Sequence, residues 1–185
     1  MPRIHPFEKA KKIVTAFPPQ IRAIDFGAGN AEWIKQQAKR HPTEVHVAVD
    51  TDYLHNAKVL REARKSRKNT IILPAQSEDV VEMMLKRGKK TRFAVVRMPI
   101  PGYVVSGRDI TGLDKIISQA RNLLTTNGTL LITTESEKVE KYLVNLAKEN
   151  RLVIRKRALT IPRTEWEKRR MSEGATIKLY TLKTK

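Results

Sequence analysis

A chain of 185 residues, 40% of them hydrophobic, suits one globular domain with a sizeable core rather than a disordered segment. It contains no cysteine, which excludes disulfides, cysteine-ligated zinc, iron–sulfur chemistry and a cysteine nucleophile. Its 37 basic and 19 acidic residues leave a formal net charge of +18, an excess that a polyanion such as nucleic acid would offset.

Strand and helix patterns alternate along the chain. Phe7 to Ala16 reads as a short helix, stopped by Pro18 and Pro19, that makes residues 1–18 an N-terminal extension. Ile21 to Phe26 reads as a first strand and Ala31 to Arg40 as a helix. Glu44 to Val49 is a valine-rich second strand, and Tyr53 to Arg67 one basic helix. Thr70 to Leu73, Glu78 to Arg87 and Arg92 to Arg97 read as strand, helix and strand. A Pro/Gly loop follows, then a helix over Leu113 to Leu124, an Asn127-Gly128 turn and a strand over Thr129 to Thr133. Glu137 to Asn150 is helical, and Leu152 to Leu159 and Thr176 to Leu182 finish as strands. Such alternation implies βαβ units and a mostly parallel sheet. The two strands close together at the end break it, so the last strand is expected to be antiparallel.

The first strand runs into Asp25-Phe26-Gly27-Ala28-Gly29-Asn30-Ala31, which opens a helix. Gly27 permits a tight turn, Gly29 lets the backbone approach a ligand, and Ala31 in the third glycine position still allows close packing. Asp50 ends the next strand and can accept from both hydroxyls of a ribose. Asp25 would crowd a pyrophosphate but suits a cationic amino-acid group, which favours a nucleoside bearing an amino acid over a dinucleotide. A turn-glycine pair beside a solvated aspartate is the plain alternative. Thr164-Glu165-Trp166-Glu167 carries two local meanings as well, because Thr-x-x-Glu also marks a helix start. The histidines His5, His41, His46 and His55 lack metal-ligand spacing and read as surface or turn residues, so no metal is expected.

Taken together, these segments resemble the class I SAM-dependent methyltransferases, and more narrowly the tRNA (guanine-N7)-methyltransferase family. AIDFGAGN resembles that family's S-adenosyl-L-methionine (SAM) loop, and HVAVD its ribose-binding strand end. NTIILPAQSEDVVEMM is similar to its next strand and helix, with Gln76 and Ser77 where the adenine edge would lie. TTESEKVEKYLVNL resembles the segment after strand five, with Glu135 where the family usually has aspartate. Thr164 to Lys168, with Gly174 and Ile177, resembles the late segment that closes over cofactor and guanine. The resemblance implies a single Rossmann-like α/β domain over residues 1–185. Its sheet would have seven strands, mostly parallel with an antiparallel last strand, and helices on both faces.

The resemblance also implies roles. Asp25, Gly27, Gly29, Asp50, Gln76 and Ser77 would line the SAM pocket. Glu135, Thr164 and Glu167 would face the target base, with Arg97 as a substitute polar group. Lys65, Arg67, Lys68, Arg163, Lys168, Arg169 and Arg170 would grip phosphates of an RNA, expected to be tRNA. The sequence departs from the family after the fourth strand. Met98-Pro99-Ile100-Pro101-Gly102 keeps both prolines but has Ile100 for aspartate and Gly102 for tryptophan. Tyr103-Val104-Val105-Ser106-Gly107-Arg108 replaces a basic stretch. Either the methyl transfer targets a different site or pocket, or the fold survives as a non-catalytic RNA-binding protein with Tyr103 to Val105 as a contact surface. The start MPRIHPFEKAKK lacks an apolar stretch, and no apolar run could span a bilayer. A cytoplasmic protein, monomeric or weakly dimeric, with no membrane partner is the expectation.

Overall fold

The computed structural model describes residues 6–65, 68–97, 111–149, 152–160 and 165–183. Helix α1 (Pro6–Thr15) leads into β1 (Gln20–Phe26), α2 (Glu32–Arg40) and β2 (His46–Asp50). Then come α3 (Asp52–His55), α4 (Ala57–Arg64), β3 (Thr70–Pro74), α5 (Ser77–Lys86) and β4 (Lys90–Arg97). The rest is α6 (Thr111–Asn122), β5 (Leu124–Thr134), α7 (Glu137–Glu149), β6 (Val153–Ala158), α8 (Glu165–Ser172) and β7 (Lys178–Lys183).

The seven strands among the described residues join one sheet in the order β3-β2-β1-β4-β5-β7-β6. The pairings from β3 across to β5 are parallel, and β7 runs antiparallel to both β5 and β6. The seven-stranded, mostly parallel sheet with an antiparallel last strand is therefore as expected. β7 inserts between β5 and β6, an order that two neighbouring strand patterns in sequence do not specify.

Alternation along the strands divides the core. Ile24 and Phe26 of β1, Val47 and Val49 of β2, Ala94 and Val96 of β4, and Leu130 and Ile132 of β5 pack with α1, α5, α6 and α7. Ala23, Ala48 and Val95 face the other way, against Trp33 and Ile34 of α2 and Ala63 of α4. On that second face, Met171 of α8 packs with Leu159, Ile177 and Leu179. Helices thus cover both faces, as a largely parallel sheet requires.

Three local expectations change. The single helix over Tyr53 to Arg67 is broken at Asn56, which is extended (φ −118°, ψ 93°). The Asn56 side chain accepts from the Val59 N–H and starts α4 as an N-cap. The Asn127-Gly128 turn survives as an excursion inside β5, where the pairing with β4 jumps from Thr91–Leu124 to Phe93–Thr129. His46 is no surface residue: it is fully buried at the start of β2, a strand flanked on both sides. Burial holds its imidazole below the ordinary histidine pKa. Among the described residues no helix is long and apolar enough to cross a membrane.

Candidate functional site

Strand order reverses beside β1, with β2 on one side and β4 on the other, so a crevice opens at the carboxyl ends of these strands. The Gly27–Ala31 loop lies there. The N–H groups of Gly27 and Ala28 both donate to the Val49 carbonyl, at 2.9 and 3.1 Å, which ties the loop to the end of β2. Gly27 (φ 77°), Gly29 (φ 54°) and Ala31 (φ 62°) are left-handed. The first two are glycines because an L side chain resists that conformation. Ala31 adopts it at a cost of roughly 1–2 kcal/mol, while its methyl is wholly buried against α2.

Asp50 fixes the loop. Its Oδ2 accepts from the Gly29 N–H at 2.7 Å, and its Oδ1 from the Asp52 N–H at 2.8 Å. Burial pushes the Asp50 carboxyl above the usual carboxylate range, and these two N–H bonds pull it back part of the way. An ionised carboxylate offers about four lone-pair directions, so two remain for a ligand. Above the loop, a Cβ built on Gly29 would meet nothing within 4 Å. Asp25, one position from the end of β1, is fully buried between Ala48 of β2 and Val95 of β4.

Two residues beyond the sequence reading join this edge. Tyr53 is 3% exposed, and its hydroxyl has no hydrogen-bond partner. Burial first, then the carboxylates of Asp50, Asp25 and Asp52, push the Tyr53 hydroxyl far above its ordinary pKa, so it stays a donor. Asn30 places a buried Oδ1 there, also without a partner. Asn30 lies inside the glycine motif, and Tyr53 is the first aromatic residue after Asp50; those were the available signals. Gln76 and Ser77 stand at the same edge, because Pro74 of β3 pairs with Asp50. Gln76 is exposed at the N-cap of α5 and its side chain makes no capping bond; Ser77 begins the helix, half-buried.

Across the crevice, β5 ends in Thr133 and Thr134. Thr134 Oγ1 accepts from the Ser136 N–H at 3.0 Å, and Thr133 Oγ1 is buried without a partner. Glu135 follows and is engaged by Arg170 of α8, whose Nε donates to both carboxylate oxygens at 3.1 Å. Arg170 also pairs with Glu173, and the two carboxylates raise its pKa. Glu167, on the same helix, is fully buried. Lys168 and Arg169 are exposed, Arg169 with its Nε 3.7 Å from Glu173.

Lys65 and Lys68 stand elsewhere. They lie between the end of α4 and the start of β3, at the amino edge of the sheet, with Lys65 bonded to Glu62 at 2.7 Å. Arg67, Arg163, Thr164, the loop from Met98 to Arg108 with Tyr103, Val104 and Val105, and the side chain of Arg97 lie outside the described residues.

No protein-family model matches the sequence, and no curated protein matches it. Solved structures do match the fold. A precorrin-6y C5,15-methyltransferase from Geobacter metallireducens GS-15 superposes with a TM-score of 0.61 at 13% identity, over 95% of this chain and 86% of that one. An rRNA methylase from Streptococcus thermophilus gives 0.56 at 12% identity, over 100% and 99%. A 16S rRNA (adenine(1408)-N(1))-methyltransferase from Catenulisporales acidiphilia, solved with SAM as a W203A mutant, gives 0.56 at 20% identity, over 98% and 91%. What this chain shares with them is the fold, the Rossmann-like fold of SAM-dependent methyltransferases.

Proposed function

We propose that this protein is a SAM-dependent methyltransferase acting on RNA. The observation that carries the cofactor reading is the bond from the Gly29 N–H to Asp50 Oδ2, beneath open space. The residues present fit the group. Asp50 keeps lone pairs for a ribose diol, Asn30 Oδ1 and the Tyr53 hydroxyl offer an acceptor and a donor, and buried Asp25 suits the cationic amino-acid end. Gln76 and Ser77, which follow the β3 residue paired with Asp50, would take the adenine edge. SAM, when bound, supplies a methyl group on a positively charged sulfur. The chain then has to bind, align and exclude water rather than abstract a proton, because a ring nitrogen such as guanine N7 attacks through its own lone pair. The RNA reading rests on the +18 charge and on basic side chains exposed on α8.

Within that reading, tRNA guanine-N7 is the narrower target, supported by the Thr164 to Lys168 resemblance, with Glu135, Thr164 and Glu167 on the base side. A second reading has its own observation. Glu135 is occupied by Arg170 and Glu167 is wholly buried, which favours a non-catalytic, RNA-binding use of the fold. Calorimetric titration with S-adenosylhomocysteine comes first, followed by methyl transfer from labelled SAM to tRNA and to rRNA. One-to-one binding with label in tRNA guanine supports the narrow reading, and label in rRNA keeps the enzyme but moves the target. Cofactor binding without transfer to either RNA favours the second reading. No cofactor binding by folded protein ends the methyltransferase reading.

A further inference from the structure

The edge strand β6 carries three consecutive cations, Arg155, Lys156 and Arg157, and no acidic residue. Strand geometry sends alternate side chains to opposite faces. Lys156 pairs in register with Tyr180, whose ring belongs to the core beneath α7. Its ammonium is bonded to Glu140 of α7, and Glu140 also accepts from Lys178 at 2.7 Å. Lys156 is therefore matched by a carboxylate on its own face.

Arg155 and Arg157 pair in register with Thr181 and Leu179. Leu179 packs with Met171, so these arginines share the face that carries α8. Both are exposed, and neither has a carboxylate partner among the described residues. The contrast with α8 is informative, because Arg170 there is already taken by Glu135 and Glu173. The unmatched positive charge on this side of the molecule thus includes the β6 edge. Two residues on one face of a strand stand about 6.6 Å apart, a spacing that successive phosphates along a sugar–phosphate backbone can meet. The guanidinium fork can also hold a phosphate through two parallel bonds.

We propose that the β6 edge is an RNA-binding strip in which Arg155 and Arg157 take backbone phosphates beside α8, while Lys156, one residue away, takes none. This rests on the RNA reading above and deepens it by naming the surface. Cations on an edge strand also block strand-to-strand association between molecules, and the test separates that role.

The variants R155Q, R157Q and K156Q each remove one charge from the same strand. Binding of a fluorescein-labelled RNA hairpin is followed by anisotropy over a salt series, with S-adenosylhomocysteine titration as a check on the rest of the molecule. R155Q and R157Q are each expected to weaken RNA binding and to make the slope of log K against log salt shallower by about 0.7–0.9. K156Q is expected to leave the slope unchanged, and all three should bind S-adenosylhomocysteine as the parent does. If the parent binds RNA and R155Q and R157Q keep its slope, the strip is overturned while the RNA reading stands. An equal change in all three overturns the face selection. Unchanged RNA binding with new self-association assigns the arginines to edge protection instead. If the parent itself does not bind RNA, both readings fall.

Discussion

Arg170 of α8 grips Glu135 at the end of β5, with Nη2 3.0 Å from Oε1 and Nε 3.1 Å from each oxygen. The bond spans 35 residues of sequence and pins α8 over the carboxyl end of the sheet. Substituting Arg170→Gln should loosen α8 and free Glu135. Amide exchange across Glu165–Ser172 should quicken, and the charge-reversed pair E135R/R170E should restore protection better than either change alone. Unaltered exchange in R170Q would show that Met171 packing alone holds the helix.

With Asp50 on the ribose, as proposed, cofactor affinity should depend on pH in a specific direction. Its carboxyl titrates above the ordinary range because of burial. In that proposal the ribose hydroxyls would donate to the ionised form, so affinity would be full above that pKa and fall as pH drops through it. The loss should therefore begin at a higher pH than for an exposed aspartate. D50N should lower S-adenosylhomocysteine affinity by about tenfold, or roughly 1.4 kcal/mol, and flatten the acid side of the profile. A native profile already flat there would remove Asp50 from the ribose.

His46 and Asn69 together set an acid limit on stability. Asn69 Nδ2 donates to the carbonyls of Glu44 at 3.0 Å and His41 at 3.1 Å, and lies 3.4 Å from His46 Nδ1. The His46 pKa is lowered in the fold, chiefly by burial. The unfolded imidazole takes up a proton as pH falls below about 6.5, which the native one resists, so stability is present above that value and lost below it. Thermal melts on either side of about pH 6.5 should show a steeper acid loss in the parent than in H46Q. Asn69→Ala should cost about 0.5–1.5 kcal/mol at neutral pH by removing its bonds to these carbonyls, of which the His41 one still accepts from the Glu44 N–H at 3.2 Å.

Gly128 has no room for a side chain. A Cβ there would sit 2.7 Å from the Leu124 Cβ and 2.8 Å from the Thr125 carbonyl oxygen, and the preceding Asn127 is left-handed at φ 64°. Gly128→Ala should destabilise by about 1–3 kcal/mol, read by urea denaturation. Unchanged stability would mean that the excursion within β5 relaxes without strain.

The glycine loop and Asp50 could be read in sequence because each is a local signal: a strand, a turn that needs φ above zero, and a carboxylate closing the next strand. His46 could not. All of β2 but its last residue is buried, so the strand lacks the polar alternation that would separate core from surface. Asn56 was hidden inside a helical pattern that continues on both sides of it. The pairing of Glu135 with Arg170 and the unpartnered Tyr53 hydroxyl depend on elements brought together only by the sheet. The position of β7 was equally nonlocal, since two neighbouring strands in sequence allow either order in space.

That position has a consequence for how the molecule is made. On the ribosome, β1 to β5 emerge first and can pair as they appear, since their order in the sheet needs no later segment. β6 emerges before β7 yet, among the described residues, pairs with the sheet through β7 alone, from Val153–Lys183 to Ala158–Lys178. A nascent chain halted between Ala158 and Lys178 would therefore hold a paired five-stranded half and a dangling strand of arginines. The basic edge is assembled last, by the final strand sliding between two that have waited for it.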